Sequence, residues 1–246
     1  MKLSLIQSSI RCLACFSLLT GTVMAQPKNQ NNLLAMPFEE RLKSAQRGHA
    51  EAQVLVGMAY QVNYLGTKQN FKEAARWFRL AANQGHALGQ TFLGKSYLHG
   101  LGVEQNFNIA YERFSTAAEQ GEAEAQYLLA SLLLDLESHE DNTIQKNPAE
   151  AYKWLSRSAQ QDYLLAYAAL ASLYERGSGV SSDRNQARDW YKKSCDKGIF
   201  SSCEQAKRLD SELNKQAQQE ELEDESNQAS TEKTAQTAVD DKIENK

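Results

Sequence analysis

The sequence predicts an all-α solenoid of stacked helical hairpins, and three observations carry that prediction. A phrase that ends one helix and opens the next recurs as Gln46-Arg47-Gly48-His49-Ala50, Asn83-Gln84-Gly85-His86-Ala87 and Glu119-Gln120-Gly121-Glu122-Ala123. Two altered copies follow at Gln160-Gln161-Asp162-Tyr163-Leu164 and Asp196-Lys197-Gly198-Ile199-Phe200. The glycine register falls at 48, 85, 121, 162 and 198, in steps of 37, 36, 41 and 36 residues, which is the period of a stacked-repeat array. Between these phrases apolar residues return every three or four positions, as one face of a helix requires. An Asn or Asp recurs midway in each repeat, where a second helix has to begin.

Taken in order, residues 1–25 read as a secretory signal. Lys2 and Arg11 precede the short apolar run Cys12–Leu19, and Val23-Met24-Ala25 supplies small residues for cleavage after Ala25. The run is shorter than the roughly 20 apolar residues of a membrane-spanning helix, and the rival lipoprotein reading through Cys15 lacks a Leu where Cys12 stands. Residues 26–37 are polar, carry Pro27 and Pro37, and form a flexible lead-in. The repeat array is placed at 38–213, opening with a half-repeat over Phe38–Arg47.

First helices are expected at Ala50–Val62, Ala87–His99, Ala123–Leu136 and Leu164–Arg176. Gly57, Gly94, Ala130 and Ala171 share one register in them and let neighbouring helices approach closely. Second helices begin after N-caps at Asn70, Asn106, Asn147 and Asp183, whose side chains accept from first-turn amides. Glu73, Glu150 and Gln186 stand three residues on, where a capping box places them. Pro148 falls at a first helical position, where its missing N–H costs nothing. Each second helix presents an aromatic register, at Trp77-Phe78, Phe114, Trp154 and Trp190-Tyr191, which recurrence on the apolar face assigns to the core. The third repeat carries five extra residues within Asp135–Lys146. From Asn214 onward four Lys face nine Asp and Glu, with neither Gly nor aromatics, so 214–246 is expected to be an acidic, disordered tail.

Composition excludes several functions. The formal charge of −4 sits largely in that tail, and a near-neutral body without a basic stripe argues against nucleic acid and anionic membrane. Four histidines are scattered without ligand spacing, so no metal or other cofactor is expected. Ser194-Cys195-Asp196-Lys197 formally matches an acyl-serine S-x-x-K, but no S-D-N or K-T-G accompanies it. Cleavage of the signal leaves Cys195 and Cys203, which are open to two readings: a disulfide in an oxidising compartment or two small buried residues.

The phrases Ala-x-x-Gln…Leu-Gly-x-x-Tyr, Gly-x-Gly-Val-x-x-Asn/Asp and Ala-x-x-Trp-Phe/Tyr-x-x-Ala-Ala-x-Gln-Gly resemble the Sel1-like repeat family. They are best kept from Gln90 to Gly121 and cover about Ala50–Leu209. The resemblance implies a right-handed α/α superhelix of about four repeats, related to tetratricopeptide arrays, with the first helices lining a concave face. Lys192–Gly198 with Cys203 is similar to the helical cysteine-rich branch of this family, which implies a Cys195–Cys203 disulfide across the turn. Some members of that branch look like weak penicillin binders, which is the enzymatic alternative; a cell-wall or lipid-carrier binder is another.

The leading expectation is a non-enzymatic periplasmic or secreted adaptor. Its partner would be a protein or peptide of the cell envelope. Helical phase from Gln53, Gln90, Gln126 and Tyr167 selects the residues leaning toward solvent on the first helices. These are Val54, Met58, Thr91, Lys95, His99, Tyr127, Ser131, Asp135, Ser172 and Arg176, the expected partner-binding set.

Overall fold

The computed structural model of the chain describes residues 36–62, 68–134 and 144–244. The chain divides into two compact units, one ending at Lys146 and the other beginning at Asn147. The first holds α1 (Phe38–Gln46), α2 (Ala50–Val62), α3 (Phe71–Asn83), α4 (Ala87–His99), α5 (Phe107–Glu119) and α6 (Ala123–Leu134). The second holds α7 (Pro148–Gln160), α8 (Leu164–Arg176), α9 (Arg184–Asp196) and α10 (Phe200–Glu244). There are no strands among the described residues. Residues 135–143, which include Asp135 and most of the five-residue insertion, lie outside the described residues, as do the signal and nearly all of the lead-in.

The helix starts follow from local chemistry. Asn70, Asn106, Asn147 and Asp183 each accept, through a side-chain oxygen, the backbone N–H three residues on, at 2.9 to 3.2 Å. The reciprocal half of the expected capping box is replaced. The N-caps' own amides donate across the hairpin, Asn70 to the Tyr60 carbonyl, Asn106 to Tyr97 and Asp183 to Tyr174, at 2.8 to 2.9 Å. Glu73 is thereby left to pair with Arg76. Asn70, Asn106 and Asp183 therefore both start their helices and fasten them to the end of the preceding one.

The Gly-x-Gly-Val loops fix successive hairpins at close range. Gly100 and Gly177 end α4 and α8 in the left-handed conformation, as C-terminal glycines do. Gly102 and Gly179 press on backbone instead. A Cβ at Gly102 would lie 2.1 Å from the Phe71 carbonyl oxygen, and one at Gly179 2.1 Å from that of Pro148. Each loop thus abuts the first turn of a second helix, α3 in one unit and α7 in the other.

The core is a ladder of large side chains in small notches. Phe78 fills the space left by Gly57, where a Cβ would come within 2.5 Å of its ring, and Phe114 fills that left by Gly94, at 2.6 Å. Phe78 stacks on Phe92 of the next hairpin, centroids 5.0 Å apart. In the aromatic register the second residue is buried in every repeat, as Phe78, Phe114, Leu155 and Tyr191, and Trp77 is buried beside Phe78. Trp154 and Trp190, expected in the core, are only half-buried, each with a cation over its ring, Arg157 and Lys193 respectively.

The ends of the array break this pattern. Arg41 occupies the register of Phe78 and is buried, its Nε donating to the Met36 carbonyl at 2.9 Å. Lys207 occupies the register of Gly57 and is exposed. In the last helix Asn214–Glu225 are exposed. The backbone nevertheless stays helical to Glu244, where the sequence reading expects disorder past 213. The reason is propensity: the segment has no Gly or Pro and is mostly Ala, Gln, Glu and Lys, which are strong helix formers.

Candidate interaction face

One register ties every turn. Residue i in the last turn of a second helix faces residue i+8 in the first turn of the next. In the first unit the partner is Gln, whose Nε2 donates to a carbonyl: Gln53 to Ala45 at 3.1 Å, Gln90 to Ala82 at 2.8 Å and Gln126 to Ala118 at 3.2 Å. All three glutamines are buried, and each satisfies its amide inside the protein, as burial demands.

The second unit solves the same problem differently. Tyr167 stands in place of Gln, and its hydroxyl donates to the carboxylate of Asp162. Asp162 itself replaces the turn glycine at φ 59°. The two substitutions are one device, because the residue tolerating the left-handed turn also supplies the acceptor. Burial, then the Asp162 bond, pushes the Tyr167 hydroxyl up to about 12. That bond, then Lys197 at 3.8 Å, holds the Asp162 carboxyl below the usual range. Tyr167 stacks on Trp190 with centroids 5.7 Å apart, and the Lys193 ammonium lies 4.7 Å from the Tyr167 ring. At the last turn the register holds Cys195 and Cys203, joined as a disulfide with Cα atoms 4.8 Å apart.

The outward face of the first helices carries the expected interaction residues, with corrections. Met58, Lys95, Tyr127 and Ser131 are half-buried and His99 is exposed, all in the first unit. Val54 and Thr91 are not solvent-leaning but buried, at 2% and 0% exposure. Val54 packs with Phe78 and Phe92. The Thr91 hydroxyl bonds both its own helix, at the Ala87 carbonyl, and Glu122 at 3.1 Å. Both face the first helix of the next hairpin, which covers a position that phase alone turns outward. In the second unit Ser172 is half-buried and Arg176 exposed.

The best-defined polar features of this face join α4 to α6. Lys95 pairs with Glu124 at 2.8 Å, both largely covered, and its ammonium lies 5.0 Å from the Phe92 ring. Glu122 accepts from Thr91 and caps α6 through the Ala125 amide. Burial pushes the Glu122 carboxyl up, against the lowering effect of the Ala125 bond. Sequence reading missed Glu122, although its register was visible: it stands where His49 and His86 open α2 and α4, and His86 caps α4 through Nδ1.

Acyl-serine chemistry fails on geometry. Ser194 is fully buried and hydrogen-bonded to the Ser202 hydroxyl at 2.8 Å, while Lys197 reaches toward Asp162. A nucleophile needs substrate access and a base in reach, and Ser194 has neither. Among the described residues no group of three His, Cys, Asp or Glu is placed to hold a metal, and no helix is long and apolar enough to cross a membrane.

Four consecutive matches to the Sel1 repeat cover residues 50–86, 87–122, 123–163 and 164–199, more than half of the chain. The chain belongs to the Sel1 repeat family. Its structure resembles that of c5321, a protective antigen of uropathogenic Escherichia coli with an SLR fold. Identity is 32% and the TM-score 0.62, over 69% of this chain and 35% of that one. It also resembles a Sel1 repeat protein from Oxalobacter formigenes, at 27% identity and a TM-score of 0.60, over 70% of this chain and 48% of the other. The chain thus spans less than half the length of either relative. No curated protein matches it. Sel1 repeat proteins are in general non-enzymatic scaffolds for protein interactions.

Proposed function

We propose that this Sel1 repeat chain is exported to the cell envelope and acts there as an adaptor. It holds a protein or peptide segment along the outward face of α2, α4 and α6. The observation that carries this reading is the single register Met58, Lys95 and Ser131. It places one half-buried side chain from each of three successive first helices in a row. Half-buried Leu55, Tyr127 and Leu128 flank the row, and the Lys95–Glu124 pair gives it one oriented polar group. An apolar strip broken by a few placed polar groups suits a segment lying across the helices, and Tyr127 is the aromatic anchor such contacts favour. Export rests on the signal-like residues 1–25.

The test is affinity capture from an envelope extract with the chain beginning at Gln26. The comparison protein carries Met58→Glu and Tyr127→Ala, both on half-buried positions that leave the Gln ties intact. A protein retained by the parent and lost from the variant, with an unchanged melting temperature, supports the reading. Equal retention by both removes the face from consideration.

A further inference from the structure

The Cys195–Cys203 disulfide replaces a tie that every hairpin of the first unit makes with a Gln side chain, and this substitution has a chemical consequence. A Gln–carbonyl bond is insensitive to redox state; a disulfide in the same register is not. We propose that Cys195–Cys203 is a thiol-addressable latch that holds α10 on the end of the second unit and releases it on reduction.

Among the described residues the buried side chains of α10 are Ser202, which donates to the Ser194 hydroxyl at 2.8 Å, Ala206 and Leu209. Arg208 pairs with Glu175 and Glu212, Lys192 with Asp210 and Arg184 with Glu212, all at partly exposed positions, where ion pairs contribute little. Asn214–Glu225 are exposed. Release of α10 uncovers the surface formed by Ala171, Ala187 and Tyr191, which packs against Ala206 and Leu209.

Both cysteines are half-buried, so the bond is within reach of a reductant. Cys203 lies in the first turn of α10 and Cys195 in the last turn of α9. A helix N-terminus favours a thiolate and a C-terminus does not. The structure therefore favours attack on the Cys195 sulfur with Cys203 leaving as the thiolate, since the thiol of lower pKa leaves faster. The reductant is a dithiol. Its first sulfur forms a mixed disulfide with Cys195, and its second displaces that cysteine. Two electrons and two protons pass to Cys195 and Cys203, and the reductant ends as a disulfide.

Amide exchange of the chain from Gln26 tests this, with and without dithiothreitol as the dithiol. Reduction is expected to speed exchange over 200–213 by at least about tenfold while 184–196 and the first unit stay unchanged, as for a local opening. The variant Cys195→Ala/Cys203→Gln rebuilds the Ala82–Gln90 arrangement and is expected to exchange slowly in both conditions. Equal exchange in oxidised and reduced parent would overturn the latch, because packing and ion pairs would then hold α10 alone. So would resistance of the bond to dithiothreitol in the folded protein, or opening of the whole second unit together. Rapid exchange in the Ala/Gln variant would overturn the equivalence of the two ties on which the inference stands.

Discussion

The Gln90 amide nitrogen lies 2.8 Å from the carbonyl oxygen of Ala82, eight residues back across a turn, and the same side chain accepts from Arg113 through its oxygen. One glutamine so joins α3, α4 and α5. Gln90→Leu keeps the volume and removes both bonds, so it should cost about 1–3 kcal/mol, the penalty for leaving buried polar groups short of partners. Chemical denaturation measures this, with exposed Gln120→Leu as a control expected near zero.

The notch under Phe114 is filled to contact. Gly94→Ala introduces a methyl 2.6 Å from the ring and should destabilise by about 1–3 kcal/mol through overpacking. Phe114→Leu on its own leaves a cavity, but combined with Gly94→Ala it should cost less than the sum of the two. A double-mutant cycle decides whether the residues are coupled in this way.

The two glycines of the Gly100-Leu101-Gly102 loop are not equivalent. Both have positive φ, yet an added Cβ meets backbone at 2.1 Å only at Gly102, whereas at Gly100 the nearest atom is 3.5 Å away. Gly102→Ala should therefore lower the melting temperature well below that of Gly100→Ala, which bears only the strain of the left-handed conformation, about 1–2 kcal/mol. Thermal unfolding followed by circular dichroism ranks them.

Glu122 and Asp162 should give pH dependences of opposite sign. The folded pKa of Glu122 is raised above 4.5 by burial, so its contribution is fully present below that value and lost as pH rises through the folded pKa. Glu122→Gln should gain stability relative to the parent on going from pH 4 to 7. Asp162 is lowered below 3.8, first by Tyr167 and then by Lys197. Its contribution is present above 3.8 and lost as pH falls through the folded value. Asp162→Asn should be the less stable protein at pH 7 and approach the parent as pH falls below 3.8. Denaturation curves across this range check both slopes.

Helix positions were legible in the sequence because the chain marks them with residues that act locally. Asn70, Asn106 and Asp183 cap the helices they precede, and the starts at Ala50, Ala87 and Leu164 follow directly from the turn phrase. The interaction face was legible only in part. Helical phase turns Val54 and Thr91 outward, but whether an outward position meets solvent depends on the neighbouring hairpin, which no periodicity within one helix reports. Glu122 was hidden for a related reason: its partner Thr91 lies 31 residues away. The tail differs because its composition favours helix while supplying nothing to bury, two properties that local reading treats as one.

Arg41 and Lys207 stand where the array would otherwise offer a ring and a notch to another hairpin. Each interior repeat is complementary on both sides, so a chain of such units carries within itself the instruction for unlimited head-to-tail growth. A guanidinium stands in the slot of Phe78 and an ammonium in the slot of Gly57, so neither end carries its half of the ring-and-notch fit. In the vocabulary of polymer chemistry, the step that adds a unit lacks its reacting group at both ends.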